Sequence, residues 1–396
     1  MRDADPNATG NDLKKYLGGE KSALRNNTPS NTSRTLVSAI PAGVTHVVLA
    51  RYIYAIHCPL SSTNQLINFI RMQRLLHRSA DLLLKRNPPL ALAPTRFMHT
   101  KASQTLTLHN GSTLGYAEFG SPDGFPVFYF HGTPGSRLEA KGWETFANSV
   151  NARIIGLDRP GIGFTTLPKR HCTLLDWPDK VLQLADHLKL DSFSVLGASG
   201  GGPFSIACAH SLPVDRLRRS GVAAGMGPIE CGYGDTSWGR YLAFQTNIHL
   251  PASWLRWIVD RAFTRHALNP DPKVFETKVI DKIIKEVLPH KDAAFFDDPV
   301  EKQDFADDWR QALAQGAEGY VRDSKIIFSP WPFQLADVGG EVRLWYGTED
   351  TFTPLRMARY MAKRMPNAKL VEMPGRSHMS LGDDGEEILR ELIAPQ

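Results

Sequence analysis

The segment GASGG (197–201) contains the residue with the clearest capacity for chemistry in this sequence. An apolar run typical of a buried strand (191–199) leads into it, and an apolar run typical of a helix follows it. On so sharp a turn a serine hydroxyl stands clear of the backbone, and flanking glycines let the strand and the helix pass closely. The pattern predicts Ser199 as a nucleophile, with Gly197 and Gly201 as its structural supports.

A nucleophilic serine needs a general base and an acid that orients the base. His378, in the segment MPGRSHMS, follows the last predicted strand and is our candidate base. Asp350, in the segment GTED, follows the strand before that one and is our candidate acid. Its neighbour Glu349 is expected to be solvated, and Glu230, which follows another strand, remains a less favoured alternative acid. Ser199, the acid and the histidine come in the chain order expected for a nucleophile on this kind of turn.

A second glycine-containing segment, HGTPG (131–135), follows the apolar run FYF. Attack on a carbonyl creates an oxyanion, and backbone N–H groups aimed at it are usually the largest electrostatic contribution to acyl transfer. We predict the amides of Thr133 and Gly200 as these donors, because one comes from the loop after this strand and the other follows the nucleophile. His131 precedes the serine, and we expect it to be a hydrogen-bonded structural residue beside Gly132 rather than the base.

The elements that must position these groups follow from the apolar patterning. The stretch TLTLHNGSTLGYAEFG (105–120) alternates about an Asn110-Gly111 turn, which is a strong β-hairpin signal. Continuous apolar runs then alternate with helical patterns, which indicates an α/β fold with a parallel sheet covered on both faces. The leading hairpin makes the predicted sheet mixed. The runs lie at 126–132, 152–158, 191–199, 217–225, 342–350 and 369–375.

Between about residues 228 and 335 the alternation of strands and helices stops, and the sequence becomes helical in pattern and rich in aromatic residues. We interpret this region as a cap inserted after one strand of the core. Its aromatic side chains indicate an apolar or aryl substrate, or else they form the core of the cap itself. Met226, just before the region, is a weak candidate for the substrate pocket.

Residues 1–100 differ in composition from the domain predicted at 101–396. They carry thirteen of the 46 Lys and Arg residues but five of the 41 Asp and Glu residues. A basic arm can bind nucleic acid or an anionic membrane, but these charges are scattered singly, as in a solvated tail. We therefore expect a largely disordered extension with a helix at 62–86, no nucleic-acid partner and no favoured membrane contact. Arg51 disfavours a membrane span in the apolar stretch 39–60.

The four cysteines do not form a C-x-x-C motif or a Cys/His spacing suited to zinc, so the sequence predicts no metal site. So few thiols suit a reducing compartment. The polar, acidic start MRDADPNATG has no secretory signal, and we expect a cytoplasmic location. The sequence leaves the oligomeric state open.

A resemblance to the α/β-hydrolase superfamily, in its AB-hydrolase-1 type, covers about residues 105–393. It implies an eight-stranded core sheet, a helical cap, and hydrolysis of an ester or related bond in a small molecule without a cofactor. It also implies that the acid follows the strand before last, at Asp350. The resemblance rests on HGTPGSR (131–137), DRPGIG (158–163), GASGGGP (197–203), GTEDTFTP (347–354) and His378.

Branches of that superfamily differ at a few positions. Epoxide hydrolases and dehalogenases carry an aspartate in place of Ser199, so the serine argues against both. Proline iminopeptidases have an aromatic- and Gln-containing sequence where GLDRPGIG (156–163) stands here. We therefore expect a carboxylesterase- or lipase-like serine hydrolase that acts through an acyl-enzyme. Two alternatives stay open: a catalytically silent binding or receptor protein on this fold, and a C–C bond hydrolase or acyltransferase with the same triad.

Overall fold

The computed structural model describes residues 100–395 except 235 and 237. The predicted N-terminal extension up to residue 99, with its helix at 62–86 and its apolar stretch at 39–60, lies outside the described residues. Within the described part of the chain, no helix has both the length and the apolar character needed to cross a membrane.

An eight-stranded sheet forms the centre of the described structure. Its strands are β1 (Gln104–Thr107), β2 (Thr113–Gly120), β3 (Phe125–Phe130), β4 (Ala152–Leu157), β5 (Phe193–Ala198), β6 (Leu217–Ala223), β7 (Val342–Gly347) and β8 (Ala368–Met373). Their order across the sheet is β1-β2-β4-β3-β5-β6-β7-β8. β2 pairs antiparallel with both β1 and β4, and all other neighbours are parallel. This confirms the predicted fold class, a mostly parallel sheet with a leading hairpin.

Helices cover the sheet and fill the connection between β6 and β7. The α-helices of the described residues are α1 (Glu144–Ser149), α2 (Trp177–His187), α3 (Gly202–Ser211), α4 (Trp238–His249), α5 (Ala252–Val259), α6 (Arg265–Ala267), α7 (Pro272–Phe275), α8 (His290–Ala293), α9 (Pro299–Ala312), α10 (Ala317–Ile327), α11 (Leu355–Ala362) and α12 (Gly385–Ile393). The 3-10 helices are Thr100–Ala102, Arg137–Trp143, Leu174–Asp176, Ser199–Gly201, Ile229–Cys231, Ala294–Asp297, Leu335–Asp337 and Ser380–Asp384, and π-helical turns occur at Asp260–Thr264, Glu276–Ile280 and Ile283–Val287.

Alternating side chains of the central strands bury both faces of the sheet. In β3, Phe128 and Phe130 belong to one apolar cluster, which includes residues of α2, α3 and α11. Val127 and Tyr129 belong to another cluster, which includes residues of α1 and α12. Because successive side chains of a strand point to opposite faces, the sheet lies between two layers of helices.

The connection between β6 and β7 contains helices and no strand among its described residues, and we call residues 229–337 the helical segment. It has an apolar cluster of its own, in which Phe275 is fully buried. Phe305 and Trp309 lie with ring centroids 5.1 Å apart, and Phe263 lies 6.1 Å from Trp309. Some of the aromatic residues in this region therefore serve its own core, which is the second of the two roles considered for them.

Candidate active site

Ser199 follows the carboxyl end of β5, on the turn that leads into α3. Its φ angle of +48° is left-handed, a conformation that non-glycine residues adopt mainly at strained functional turns. A Cβ atom on Gly197 would overlap the carbonyl oxygen of Gly201, and one on Gly201 would overlap that of Phe130. The N–H of Met226 donates to the Ser199 carbonyl over 2.8 Å. The turn thus depends on two glycines and is held by the loop after β6.

Asp350 and His378 follow the carboxyl ends of β7 and β8, and the structure brings them into direct contact. His378 Nδ1 lies 2.8 Å from Asp350 Oδ2. The other oxygen, Oδ1, accepts the N–H groups of Phe352 (2.7 Å) and Thr353 (3.0 Å). Asp350 is only 5% exposed. The carboxylate is therefore fixed by its own loop, with one oxygen left for the histidine.

The charges of this pair oppose the effect of burial. Burial alone would raise the pKa of Asp350, but the charge of His378 and hydrogen bonds from His378 and Thr353 hold that pKa below its usual value. Burial alone would lower the pKa of His378, but the charge of Asp350 and the hydrogen bond with it, aided by Asp292 and Glu139, raise that pKa above its usual value. The pair therefore favours an ionised acid beside a histidine of increased basicity.

A short loop after β6 links this pair to the nucleophile. Thr353 Oγ1 lies 2.8 Å from the carbonyl oxygen of Ala224 and 2.7 Å from Asp350 Oδ2. Two residues after Ala224, Met226 binds the Ser199 carbonyl as described above. Within the described residues the Ser199 hydroxyl makes no hydrogen bond with His378; contacts of this kind often close only when a substrate binds.

The two predicted oxyanion donors lie side by side. A Cβ atom on Gly200 would overlap Thr133 Oγ1, so the residue after the nucleophile must be as small as glycine. The N–H of Thr133 makes no hydrogen bond within the part of the chain that the structure describes. The Thr133-Pro134 peptide bond is cis. The loop after β3 therefore approaches the nucleophile turn closely and presents a free backbone donor.

His131 is fully buried and bonded on both ring nitrogens. Nδ1 lies 2.8 Å from the Gly132 carbonyl oxygen, and Nε2 lies 3.3 Å from the N–H of Arg159. These partners assign the proton to Nδ1. Burial, and then the charge of Arg159, hold the pKa of His131 well below its usual value. Both ring nitrogens of His131 are thus engaged and its neutral form is favoured, and its structural role stays a prediction.

Glu139 belongs to this site, although the sequence analysis did not identify it. Its two carboxylate oxygens accept the N–H of Gly132 over 2.9 and 3.0 Å, and one of them accepts the Tyr129 hydroxyl over 2.7 Å. Burial raises the pKa of Glu139. A Cβ atom on Gly132 would lie 3.3 Å from this carboxylate and 3.4 Å from Ser199 Cβ. The only sequence signal was an acidic residue in the helical turn that follows the HGTPG loop.

Arg159, in the segment DRPGIG, was also not assigned a role. The fully buried guanidinium forms an ion pair with Asp323 of α10, with N–O distances of 2.6 and 2.7 Å. It also donates to the carbonyl oxygens of His131 and Gly132 and to Thr133 Oγ1, the latter over 2.7 Å. Thr133 Oγ1 in turn donates to Asp323. One buried arginine therefore ties the oxyanion loop to the helical segment.

The side chains of the remaining sequence candidates make no contact with Ser199, Asp350 or His378 among the hydrogen bonds and ion pairs of the described residues. Glu349 is 56% exposed and pairs with Lys291 at 2.9 Å. Glu230 is exposed as well. Met226 contacts the nucleophile turn through its backbone, while its side chain is 5% exposed within an apolar core cluster. A role for this side chain in the substrate pocket stays a prediction.

A surface cavity of about 460 Å³ lies near the amino ends of β6 and β7. Ser199, Asp350 and His378 all follow carboxyl ends of parallel strands, where open α/β sheets bind their ligands. The cavity is therefore at the wrong edge of the sheet to serve the candidate site. It is lined by Val214, Leu217, Arg218, Gly339, Gly340, Glu341 and Asn367.

Comparison with known families and structures agrees with the fold. The model of the alpha/beta hydrolase family matches residues 127–391. A solved hydrolase from Pseudomonas aeruginosa superposes with a TM-score of 0.54 at 16% identity, over 75% of this chain and 100% of that one. A thermophilic esterase from Thermogutta terrifontis gives 0.52 at 18% identity, over 73% and 97%. At such identities the structures share a fold with this chain.

Curated relatives match at two different lengths. A bifunctional esterase/perhydrolase from Acinetobacter calcoaceticus is 21% identical over 310 residues, which cover 73% of this chain and 98% of that protein. A proline iminopeptidase from Arabidopsis thaliana is 31% identical over 116 residues, which cover 28% of this chain and 30% of that protein. The chain spans only about a third of the length of the proline iminopeptidases that it matches.

Proposed function

This chain belongs to the alpha/beta hydrolase family, and from that premise we propose that it is a serine hydrolase with a Ser199–His378–Asp350 triad. We propose that it cleaves an ester or related acyl bond of a small, apolar molecule through an acyl-enzyme. The observation that carries the proposal is the buried contact of 2.8 Å between His378 and Asp350, at the same sheet edge as a serine with a left-handed backbone.

In the first half-reaction, His378 takes the proton of the Ser199 hydroxyl as the oxygen attacks the substrate carbonyl. Because Nδ1 is engaged by Asp350, the nitrogen that accepts this proton is Nε2. The amides of Thr133 and Gly200 stabilise the negative oxygen of the tetrahedral intermediate. His378 then gives its proton to the leaving alcohol, which departs and leaves an ester on Ser199.

In the second half-reaction, His378 removes a proton from water, and the resulting nucleophile attacks the acyl-enzyme. The same two amides hold the second oxyanion. When it collapses, the carboxylic acid leaves and the proton returns from His378 to Ser199. Asp350 remains ionised throughout and stabilises each imidazolium, in agreement with its depressed pKa.

Ester cleavage is favoured over peptide cleavage by the extent of the matches. The relative matched over 98% of its length is a bifunctional esterase/perhydrolase, whereas the matches to proline iminopeptidases cover about a third of theirs. Ile327 of the helical segment lies beside the nucleophile turn, since its Cδ1 atom is 3.2 Å from the position of a Cβ atom on Gly200. The next residue, Phe328, packs against Phe244, and apolar side chains at this place favour an apolar substrate.

Active-site labelling tests this proposal directly. The purified full-length protein would be treated with a fluorophosphonate probe and assayed on p-nitrophenyl esters of increasing chain length, together with Ser199→Ala and Ser149→Ala. Ser149 is an exposed serine of α1 and serves as the control. We expect labelling and turnover in the wild type and in Ser149→Ala, and neither in Ser199→Ala.

The alternatives give different results in the same experiment. Labelling without turnover of any ester would favour acyl transfer or C–C bond cleavage, which product analysis with other acceptors and with diketone substrates would separate. A folded wild type that neither reacts with the probe nor turns over a substrate would overturn the proposal and favour a binding protein on the hydrolase fold.

A further inference from the structure

Asp292, in α8 of the helical segment, contacts the loop of the candidate base. Its Oδ1 atom accepts the N–H of Met379, the residue after His378, over 2.8 Å. The side chain is 1% exposed, and its Oδ2 atom is buried without a hydrogen-bond partner among the described residues. Burying a carboxylate with an unsatisfied oxygen costs free energy, so this position needs a compensating interaction.

The neighbours of Asp292 contact the loop of the candidate acid. Lys291 pairs with Glu349, and its ammonium group also donates to the Gly375 carbonyl in the histidine loop. Arg240 of α4 donates to Thr351 Oγ1 over 2.6 Å. The helical segment therefore contacts both loops that carry the acid–base pair.

Three carboxylates from different elements face His378. Asp350 comes from the loop after β7, Asp292 from α8 and Glu139 from the helical turn after β3. Arg240 is a cation on this side whose charge interacts with Asp292 and Asp350, and it lies 3.7 Å from the centre of the Phe352 ring that packs against His378. Asp350 makes the direct contact, whereas Asp292 acts across the histidine loop. Arg240 and a protonated His378 are thus two positive charges of the described structure that act on Asp292.

We propose that Asp292 is a positioning residue of the candidate active site, which holds the histidine loop through the Met379 amide and stabilises protonated His378 by its charge. This role rests on the proposed function of His378 as the base. The acid–base pair is then incomplete without the helical segment, which supplies this carboxylate. A segment expected to select the substrate thereby also sets the basicity of the histidine.

Two substitutions separate the contact from the charge. Asp292→Asn retains an acceptor oxygen for the Met379 amide and removes the charge, whereas Asp292→Ala removes both. Asp297→Asn removes an exposed carboxylate nearby in the same segment and is the matched control. The ring of His378 would be titrated by NMR in the isotope-labelled full-length protein, with its signal assigned by its loss in His378→Gln. The pH profile of kcat/KM would be measured in parallel.

We expect Asp292→Asn to lower the titration midpoint of His378 by about half a unit or more and to move the acidic limb of kcat/KM equally. Asp297→Asn should move neither. Asp292→Ala should also lower kcat at high pH by roughly tenfold or more, because the histidine loop loses its anchor. An equal midpoint in Asp292→Asn and Asp297→Asn would overturn the role. The NMR titration reports on Asp292 even if the wild type hydrolyses no ester, so the two proposals can fail separately.

Discussion

At the scale of single residues, the candidate site keeps charged groups where burial opposes them. Asp350 and His378 each have a pKa shifted against the direction that burial alone would produce. Each group compensates the desolvation of the other, so the removal of one partner leaves an uncompensated buried charge. Buried pairs of this kind are expected to act as a unit, so substitution of either member should lower kcat far more than the loss of one hydrogen bond would.

The choice of acid is tested by two isosteric changes. Asp350→Asn replaces the acceptor of the His378 ring proton and favours the wrong tautomer, so kcat should fall by about 10⁴-fold. Glu349→Gln removes only an exposed ion pair with Lys291, and kcat should change by less than about fivefold. Steady-state kinetics on one p-nitrophenyl ester would measure both. Equal losses in the two variants would show that Asp350 is not the acid.

The raised pKa of His378 predicts the pH dependence of the reaction. A general base works only when it is neutral, so a raised pKa moves the onset of activity to higher pH. The acidic limb of kcat/KM should therefore have a midpoint above 6.5, the ordinary value for histidine. His131 has a lowered pKa and remains neutral in this range, so it does not contribute to the limb. A midpoint below 6.5 in the measured pH–rate profile would contradict the assignment.

At the scale of elements, the strand ends carry the chemistry and the glycines permit their close approach. β5, β6, β7 and β8 are neighbours in the sheet, so the loops after them meet at one edge. The order of these loops in space places the loop with Ala224 and Met226 between the nucleophile turn and the acid. The turn into α3 passes so close to the end of β3 that position 201 has no room for a Cβ atom, which would overlap the carbonyl oxygen of Phe130.

Gly201→Ala should disrupt this approach. The added methyl group would overlap the carbonyl oxygen of Phe130, which is backbone and cannot rotate away. Overpacking of this kind costs about 1–3 kcal/mol, and we expect a loss of at least that size in the free energy of unfolding, measured with urea.

Gly142→Ala is the matched control, because a Cβ atom there meets nothing within 4 Å. Gly142 lies in a helical turn and is exposed. The free energy of unfolding of Gly142→Ala should therefore differ from that of the wild type by less than about 1 kcal/mol. Equal stability of Gly201→Ala and the wild type would mean that the strand and the helix can separate without cost.

At the scale of the whole described structure, buried polar contacts join the helical segment to the sheet domain. Asp323 of α10 pairs with Arg159, and Asp308 of α9 accepts from the Ser136 N–H and hydroxyl over 2.8 and 2.6 Å. Asp323 also accepts from Thr133 of the oxyanion loop, and Ser136 lies in the turn after that loop. Polar contacts such as these stabilise little in net terms but are directional, so they favour one placement of the segment over others.

Asp308 gives this arrangement a pH-dependent stability. Burial, and then the charge of Glu139, raise the pKa of Asp308 well above its usual value. When the pKa of a carboxyl group is higher in the folded state than in the unfolded state, the folded protein becomes less stable as the pH rises from the unfolded pKa through the folded pKa. Asp308→Asn keeps an acceptor for Ser136 and has no charge to bury.

We therefore expect the free energy of unfolding of Asp308→Asn minus that of the wild type to increase by about 1 kcal/mol or more between about pH 4 and pH 8. Urea denaturation at both pH values would measure the difference. A difference that is constant with pH would mean that Asp308 is ionised in the folded protein at no cost.

Much of the fold, and the candidates for the central chemistry, could be predicted from local sequence. The alternating hairpin pattern located β1 and β2, and apolar runs located the other six strands within a few residues. Ser199, Asp350 and His378 could be chosen as candidates because each follows a predicted strand end, and the chain order of these ends is visible in the sequence.

The environment of each side chain could not be predicted from local sequence, because it depends on how distant segments pack together. The two adjacent acids of the segment GTED have the same charge and follow the same strand, but packing buries Asp350 against His378 and leaves Glu349 exposed. Arg159 and Asp292 were assigned no role, because their partners Asp323 and Met379 are reached only when the helical segment packs on the sheet domain. Glu139 was also missed, although Gly132 and Tyr129 are near it in sequence, because only the fold turns its carboxylate back onto the oxyanion loop. The candidate nucleophile, the sheet and the family follow from local patterns in the sequence, whereas the packing of distant segments sets the charge and position of each group around the candidate site.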